Sequence, residues 1–242
     1  MRGNNLIKML LPVAAVGFAA CGDSTGPNSK PVSLSFSSQG LVAAGANFDI
    51  TVTGGGNTVV ITKAQLVIRD IKLKQSATVA CVDDDAGSDD CDELKIGPFL
   101  ADLPLTATAT SALTASIPAG TYREVEFKIH KPGSDAADAA FSAANPNFAT
   151  SSVRVEGTIN GTPFVFTNAI SEKIELEFNP AIVIDGTNKN VTVQVNVASW
   201  FKSGTTVIDP RTANPGQPNA NTVSANIRAS LRAVEDDDKD GK

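Results

Sequence analysis

The chain runs to 242 residues, 42% of them apolar and 19% charged, which is enough for one large all-β domain with a real core. Aromatic residues make up only 5%, with one Trp and one Tyr, while Val, Ile, Thr, Ala and Ser are abundant; this suits thin β-layers filled by branched aliphatics and argues against a helical bundle. A net charge of −6 without a Lys/Arg cluster argues against nucleic acid as a partner and makes cations the better expectation.

Residues 1–21 read MRGNNLIKMLLPVAAVGFAAC, with Arg2 and Lys8 ahead of an apolar run from Met9 to Ala20. This is the layout of a secretory signal, and the run is shorter than the about 20 residues a spanning helix needs. Phe18-Ala19-Ala20-Cys21 resembles the lipobox of bacterial lipoproteins, although Phe18 departs from the usual aliphatic residue there. The resemblance implies a signal peptide over 1–20 and a lipid on Cys21. GDSTGPNSK follows, without apolar period, so 21–31 reads as the lipidated Cys and a flexible tether. The expected location is the bacterial cell envelope, at the periplasmic or surface face of the outer membrane. The membrane itself is then one partner, through the lipid anchor, and an envelope protein or glycan is another.

The body of the chain, 32–234, reads as a single domain of strands. VVITKAQLVIRDIKLK changes phase twice: Val59 and Ile61 share one face, Ala64, Leu66 and Ile68 the other, and Ile71 with Leu73 return. Such slips predict a bulge or a break. Cys81 and Cys91 remain as an even pair in an oxidising compartment, which predicts a disulfide around CVDDDAGSDDCDE. EVEFKIH predicts a strand with Val125, Phe127 and Ile129 inward and Glu124, Glu126, Lys128 and His130 outward. His130, the only His, has no chemical partner nearby in sequence.

SDAADAAFSAANP, 134–146, is the one helical candidate, with a cap at Ser134 or Asp135. VRVEGTINGTPFVF predicts a hairpin on a type I′ Asn160-Gly161 turn, with Ile159 opposite Thr162, Gly157 opposite Phe164 and Val155 opposite Phe166. Pro163 would be tolerated there at a sheet edge. KIELEF and VTVQVNV alternate as half-buried strands, Trp200 reads as packing at a strand end, and NIRASLRAV reads as a strand burying Ile227, Ala229, Leu231 and Ala233.

Nine to twelve such strands predict an antiparallel β-sandwich, Ig-like or transthyretin-like, with at most one short helix. The ordering ITKAQLVIRDIKL, ADLPL, IPAGTYREVEFKI resembles the bacterial lipoprotein family of unknown function DUF4382, with the PAGTY turn at 118–122 the best-matching piece. That resemblance implies a β-sandwich and brings no functional residues.

The acidic tail, 235–242, reads EDDDKDGK and places Asp236, Asp238 and Asp240 at positions 1, 3 and 5 of an EF-hand-type loop, with Gly241 at position 6. The chain ends before the remaining ligands, so calcium would need donors from elsewhere, such as Asp83, Asp85 and Asp89 of the cysteine loop. No nucleophile elbow, zinc helix, P-loop or Rossmann fingerprint is present. Three functions fit: a non-catalytic, lipid-anchored binding or scaffolding domain; a calcium-dependent binding or adhesion module; and a hydrolase working with carboxylates alone.

Overall fold

The computed structural model describes residues 29–38, 49–75, 91–95, 97–105, 109–186 and 189–238. Its first half consists of strands β1 (Ser29–Ser38), β2 (Ile50–Gly54), β3 (Asn57–Lys74), β4 (Cys91–Lys95), β5 (Phe99–Asp102), β6 (Thr110–Pro118) and β7 (Gly120–Ile129), followed by helix α1 (Ala136–Ala144). The second half adds β8 (Val153–Ile159), β9 (Thr162–Asn168), β10 (Glu172–Ile184), β11 (Lys189–Val195), the short β12 (Lys202–Ser203) and β13 (Thr206–Val207), helix α2 (Ala220–Ala229) and β14 (Leu231–Glu235). Cys21, Cys81, Asp83, Asp85, Asp89 and Asp240 lie outside the described residues, and Cys91 opens β4. Among the described residues no helix is long and apolar enough to cross a membrane.

Two sheets face each other. A four-stranded sheet runs β14-β11-β1-β6, and an eight-stranded sheet runs β10-β7-β3-β8-β9, with β2, β4 and β5 also paired to β3. The eighteen-residue β3 is the spine of the larger sheet. Its register with β8 covers Val59 to Leu66 and its register with β7 covers Ile68 to Lys74, so these two share one edge; β2, β5 and β4 follow one another along the opposite edge. The predicted phase slips are bulges in this one strand, between Ile61 and Lys63 and between Arg69 and Lys72. Asp70, at the second bulge, takes a positive φ of 53°. A bulge puts one extra residue against the partner strand, which is why the apolar phase flips there.

The core lies between the sheets. Val32, Leu34 and Phe36 of β1 and Val191, Val193 and Val195 of β11 meet Ile61, Val125, Phe127 and Ile182 from the larger sheet, all buried. Branched aliphatics at alternate positions fill this layer, and Trp200 and Phe201 close one end of it. Phe201 makes edge-on contacts to Phe166 at 5.2 Å and Phe164 at 5.9 Å. A second, small apolar cluster of Val67, Phe141 and Phe148 fixes α1 to the other side of β3.

The hairpin has the expected register throughout, including Thr158 opposite Pro163, and β9 is an edge strand where the missing Pro N–H costs no ladder bond. Asn160 and Gly161 have φ of 49° and 79°, as a type I′ turn requires. Three expectations need correction. The sheets are not wholly antiparallel, because β1 and β11 pair in parallel. Parallel neighbours need a long crossover, and here most of the chain separates the two strands. Among the described residues there are two α-helices rather than one, since α2 occupies the first part of the segment expected to be the strand NIRASLRAV. Ile227 and Leu231 are four residues apart and satisfy either period; Val223 and Ile227 form the buried face of the helix, whereas Ala229 is exposed.

Candidate functional site

The acidic tail is tied to the sheet through the residue between the expected ligands. Asp237 Oδ1 accepts from the Asn190 backbone N–H at 3.0 Å, and its Oδ2 lies 2.8 Å from Lys189 Nζ, which also pairs with Glu235. The Asp237 and Glu235 carboxylates, in that order, hold the Lys189 amine above its ordinary value of 10.5. Asn190, buried, donates from Nδ2 to the Asp236 carbonyl at 2.9 Å and to Thr192 Oγ1 at 2.8 Å, and its Oδ1 accepts from Ser35 Oγ at 2.6 Å. Asp236 is 3% exposed while Asp238 is exposed. Neither belongs to the one group of three acids that, among the described residues, lies close enough to share an ion.

That group is Glu124, Glu126 and Glu175, whose oxygens lie within 4.8 Å of one another, and an ammonium already serves it. Lys74, its side chain 2% exposed, places Nζ 2.5 Å from Glu124 Oε1, 2.9 Å from Glu126 Oε2 and 3.0 Å from Glu175 Oε1. Lys173 adds contacts of 2.8 Å to Glu175 and 3.3 Å to Glu126. Burial pushes the Lys74 amine down, but the hydrogen bonds to the three carboxylates outweigh it and hold the amine above 10.5. Lys173, and after it Lys74, holds the Glu175 carboxyl below its ordinary 4.5. Glu124 and Glu126 are therefore not the solvated outward face expected of EVEFKIH: both are buried. Period-two alternation marks the two faces of a strand but does not say whether the second face meets water.

The same side of the larger sheet holds a second charge network around α1. Asp138, 1% exposed, accepts from Arg69 Nη1 at 3.0 Å and from the Gly133 N–H at 2.5 Å, and lies 2.9 Å from His130 Nε2. Asp135 caps the helix by accepting from the Asp138 N–H at 2.8 Å and also binds Arg69 Nη1 at 2.6 Å. These two contacts, the backbone one first, hold the Asp135 carboxyl below its ordinary value. Asp70 joins Lys128 Nζ at 3.0 Å to Arg69 Nε at 3.3 Å. His130 thus has a partner after all, eight residues on, brought back by the turn into α1. The His130 ring nitrogen that faces Asp138 is occupied by that carboxylate.

A cleft of about 430 Å³ opens where the turn after β11, the end of α2 and the start of β14 converge. Asn196, Ser199, Asn226, Ala229, Ser230 and Arg232 line it. Its frame is hydrogen-bonded throughout. Asn196 N donates to the Ser230 carbonyl at 2.9 Å, Ser230 Oγ accepts from Trp200 Nε1 at 2.8 Å and donates to the Ile227 carbonyl at 2.6 Å, and Ser199 Oγ donates to the Asn196 carbonyl at 2.7 Å. Asn226 Nδ2 donates to the carbonyls of Trp200 and Lys202 at 2.9 and 2.8 Å. Trp200 is fully buried beneath the cleft, as its reading as packing required.

No carboxylate, imidazole or thiol is among the lining residues, so the cleft offers hydrogen bonds and one guanidinium but no group that exchanges protons near neutral pH. The sequence points to none of the lining residues as a binding residue, and it places Ala229 in the core. Amides and hydroxyls carry no spacing signature, and the segment contributing Asn226 was read as a strand. No family model matches the chain, and no curated protein matches it. Among solved structures, MbnP from Methylosinus trichosporium is similar at 11% identity with a TM-score of 0.45, over 86% of this chain and 99% of that chain.

Proposed function

We propose that the chain is a non-catalytic, lipid-anchored protein of the bacterial cell envelope, and that its β-sandwich domain binds a small polar ligand in the cleft between α2, β14 and the Val197–Ser199 turn. The lining of that cleft carries the reading: a rigid frame of hydrogen bonds around amide, hydroxyl and guanidinium groups suits recognition, with nothing positioned to move a proton. The buried Glu124, Glu126 and Asp138 and the only His are committed to ion pairs with neighbouring cations or carboxylates, which supports the same view. Phe18-Ala19-Ala20-Cys21 and the tether behind it support anchoring of the DUF4382 lipoprotein kind, with Cys81 and Cys91 closing a disulfide in the same oxidising compartment.

Two measurements test this. Metabolic labelling with an alkyne fatty acid should mark the wild-type chain in the membrane fraction, while Cys21→Ala should lose the label; an unlabelled wild type defeats the anchor. Thermal shifts across a panel of small polar envelope constituents should give hits that disappear in Ala229→Leu, which fills the cleft from its exposed rim. Hits indifferent to Ala229→Leu would place binding elsewhere and defeat the cleft as its site.

A further inference from the structure

The cleft's own frame decides which hydrogen-bonding atoms are left for a ligand. Asn226 spends both N–H groups of its amide on the Trp200 and Lys202 carbonyls, which fixes the orientation of that amide and leaves Oδ1, an acceptor, over. Ser199 spends its single proton on the Asn196 carbonyl and keeps lone pairs. Ser230 has donated its proton and already accepts from Trp200. Arg232 is already engaged in an interaction of its own, so its guanidinium does not stand open for an anion. The Asn196 side-chain amide hydrogen-bonds nothing among the described residues; only its backbone groups are used, the N–H by the Ser230 carbonyl and the carbonyl by Ser199. The cleft therefore presents two acceptors and one amide that can both donate and accept.

From this balance we infer that the cleft takes a neutral polyhydroxylated molecule, of the sugar and sugar-alcohol class, whose hydroxyls donate to Asn226 Oδ1 and Ser199 Oγ while the Asn196 amide pairs with a third. The inference rests on the cleft being the ligand site. A hydroxyl fits because it donates to lone pairs without bringing charge. An anion would set acceptor oxygens against acceptor oxygens, with the one guanidinium of the lining already taken. An ammonium would find acceptors, but no carboxylate lines the cleft to offset its desolvation. With Trp200 buried beneath Ser230 there is no ring to stack on, so specificity falls to the pattern of hydroxyls. The cleft's volume of about 430 Å³ lies within the range of small-molecule sites, about 300–1,000 Å³.

Calorimetric titration of the full chain with galactose, glucose and mannitol, against galacturonate and galactosamine, provides the test. We expect at least one of the three neutral polyols to bind, and neither charged sugar to bind more tightly than the best of them. Deoxyfluoro derivatives of that polyol should lose about tenfold at two or more positions, because fluorine accepts a hydrogen bond but cannot donate one. Asn196→Ala, which removes a side chain without a partner among the described residues, should weaken binding about fivefold or more, and Ala229→Leu should abolish it. No heat with any neutral polyol, tighter binding of a charged sugar, or a deoxyfluoro series bound as tightly as the parent overturns the ligand class; hits from the wider panel that still vanish in Ala229→Leu leave the cleft standing as a site. Polyol binding untouched by Ala229→Leu overturns the class and the site together.

Discussion

Lys74 is the residue whose removal should matter most to folding. Its ammonium is buried and shared by three carboxylates, two of them buried on a neighbouring strand. Lys74→Met keeps much of the stem's volume but leaves Glu124 and Glu126 side by side without their cation, and breaking a buried ionic group in this way costs about 3–5 kcal/mol. Urea unfolding should show that loss, and Lys74→Met combined with Glu124→Gln and Glu126→Gln should recover part of it; a single variant as stable as wild type would mean that water reaches the cluster. The pH dependence has a defined sign. With the Glu175 carboxyl held below 4.5, the folded state binds this proton less readily than the unfolded chain. Its contribution is complete above about pH 4.5 and drains away as pH falls through the lowered folded value. The Lys74 amine is raised above 10.5, so its share is intact through neutrality and is lost only as alkali approaches the folded value. The urea midpoint should therefore fall on acidification below about pH 4.5, and Glu175→Gln should flatten that part of the curve; an unchanged slope would remove Glu175 from the linkage.

Elements were legible in the sequence where their determinants are local. The β8–β9 hairpin is encoded within VRVEGTINGTPFVF, because the turn chemistry of Asn160-Gly161 and the apolar alternation on both sides select one register. The bulges of β3 were legible for the same reason, since a phase flip appears along one strand. The polar clusters were not. Lys74 meets Glu124 and Glu175 across strands far apart in sequence, and the cleft joins residues around 196 to others around 230 through a helix whose period was mistaken for a strand. Two glycines of the hairpin separate local from long-range demands. At Gly161, where φ is 79° and nothing lies near the missing Cβ, Ala should cost about 1 kcal/mol in left-handed strain. At Gly157 a Cβ would stand 2.0 Å from the Val60 carbonyl oxygen, at the first bulge of β3. Gly157→Ala should cost about 3 kcal/mol or more, because backbone must move. Equal losses in chemical denaturation would show that the two strands can separate there more easily than this close approach implies.

At the scale of the whole molecule, the acidic terminus acts as the closing strap of the smaller sheet. β14 pairs with β11 up to Glu235, and the next two residues continue that engagement: Asp236 N donates to the Asn190 carbonyl at 3.0 Å, and Asp237 holds Lys189 and the Asn190 N–H. β11 in turn lies parallel to β1, the strand that carries the domain away from the proposed tether. Deleting residues after Val234 removes these bonds and leaves the buried Asn190 amide short of a partner, a loss of about 2–4 kcal/mol for a few hydrogen bonds and one desolvated group. For a domain of this size that corresponds to a melting temperature lower by about 5–10 °C. Because Lys189 and Asn190 hold Asp237, the drop should be the same in EDTA and in calcium, and Asp237→Ala should reproduce much of it. A drop seen only with calcium present, and matched by Asp236→Asn or Asp238→Asn, would instead make the alternating acids ligands of an ion completed from elsewhere in the chain.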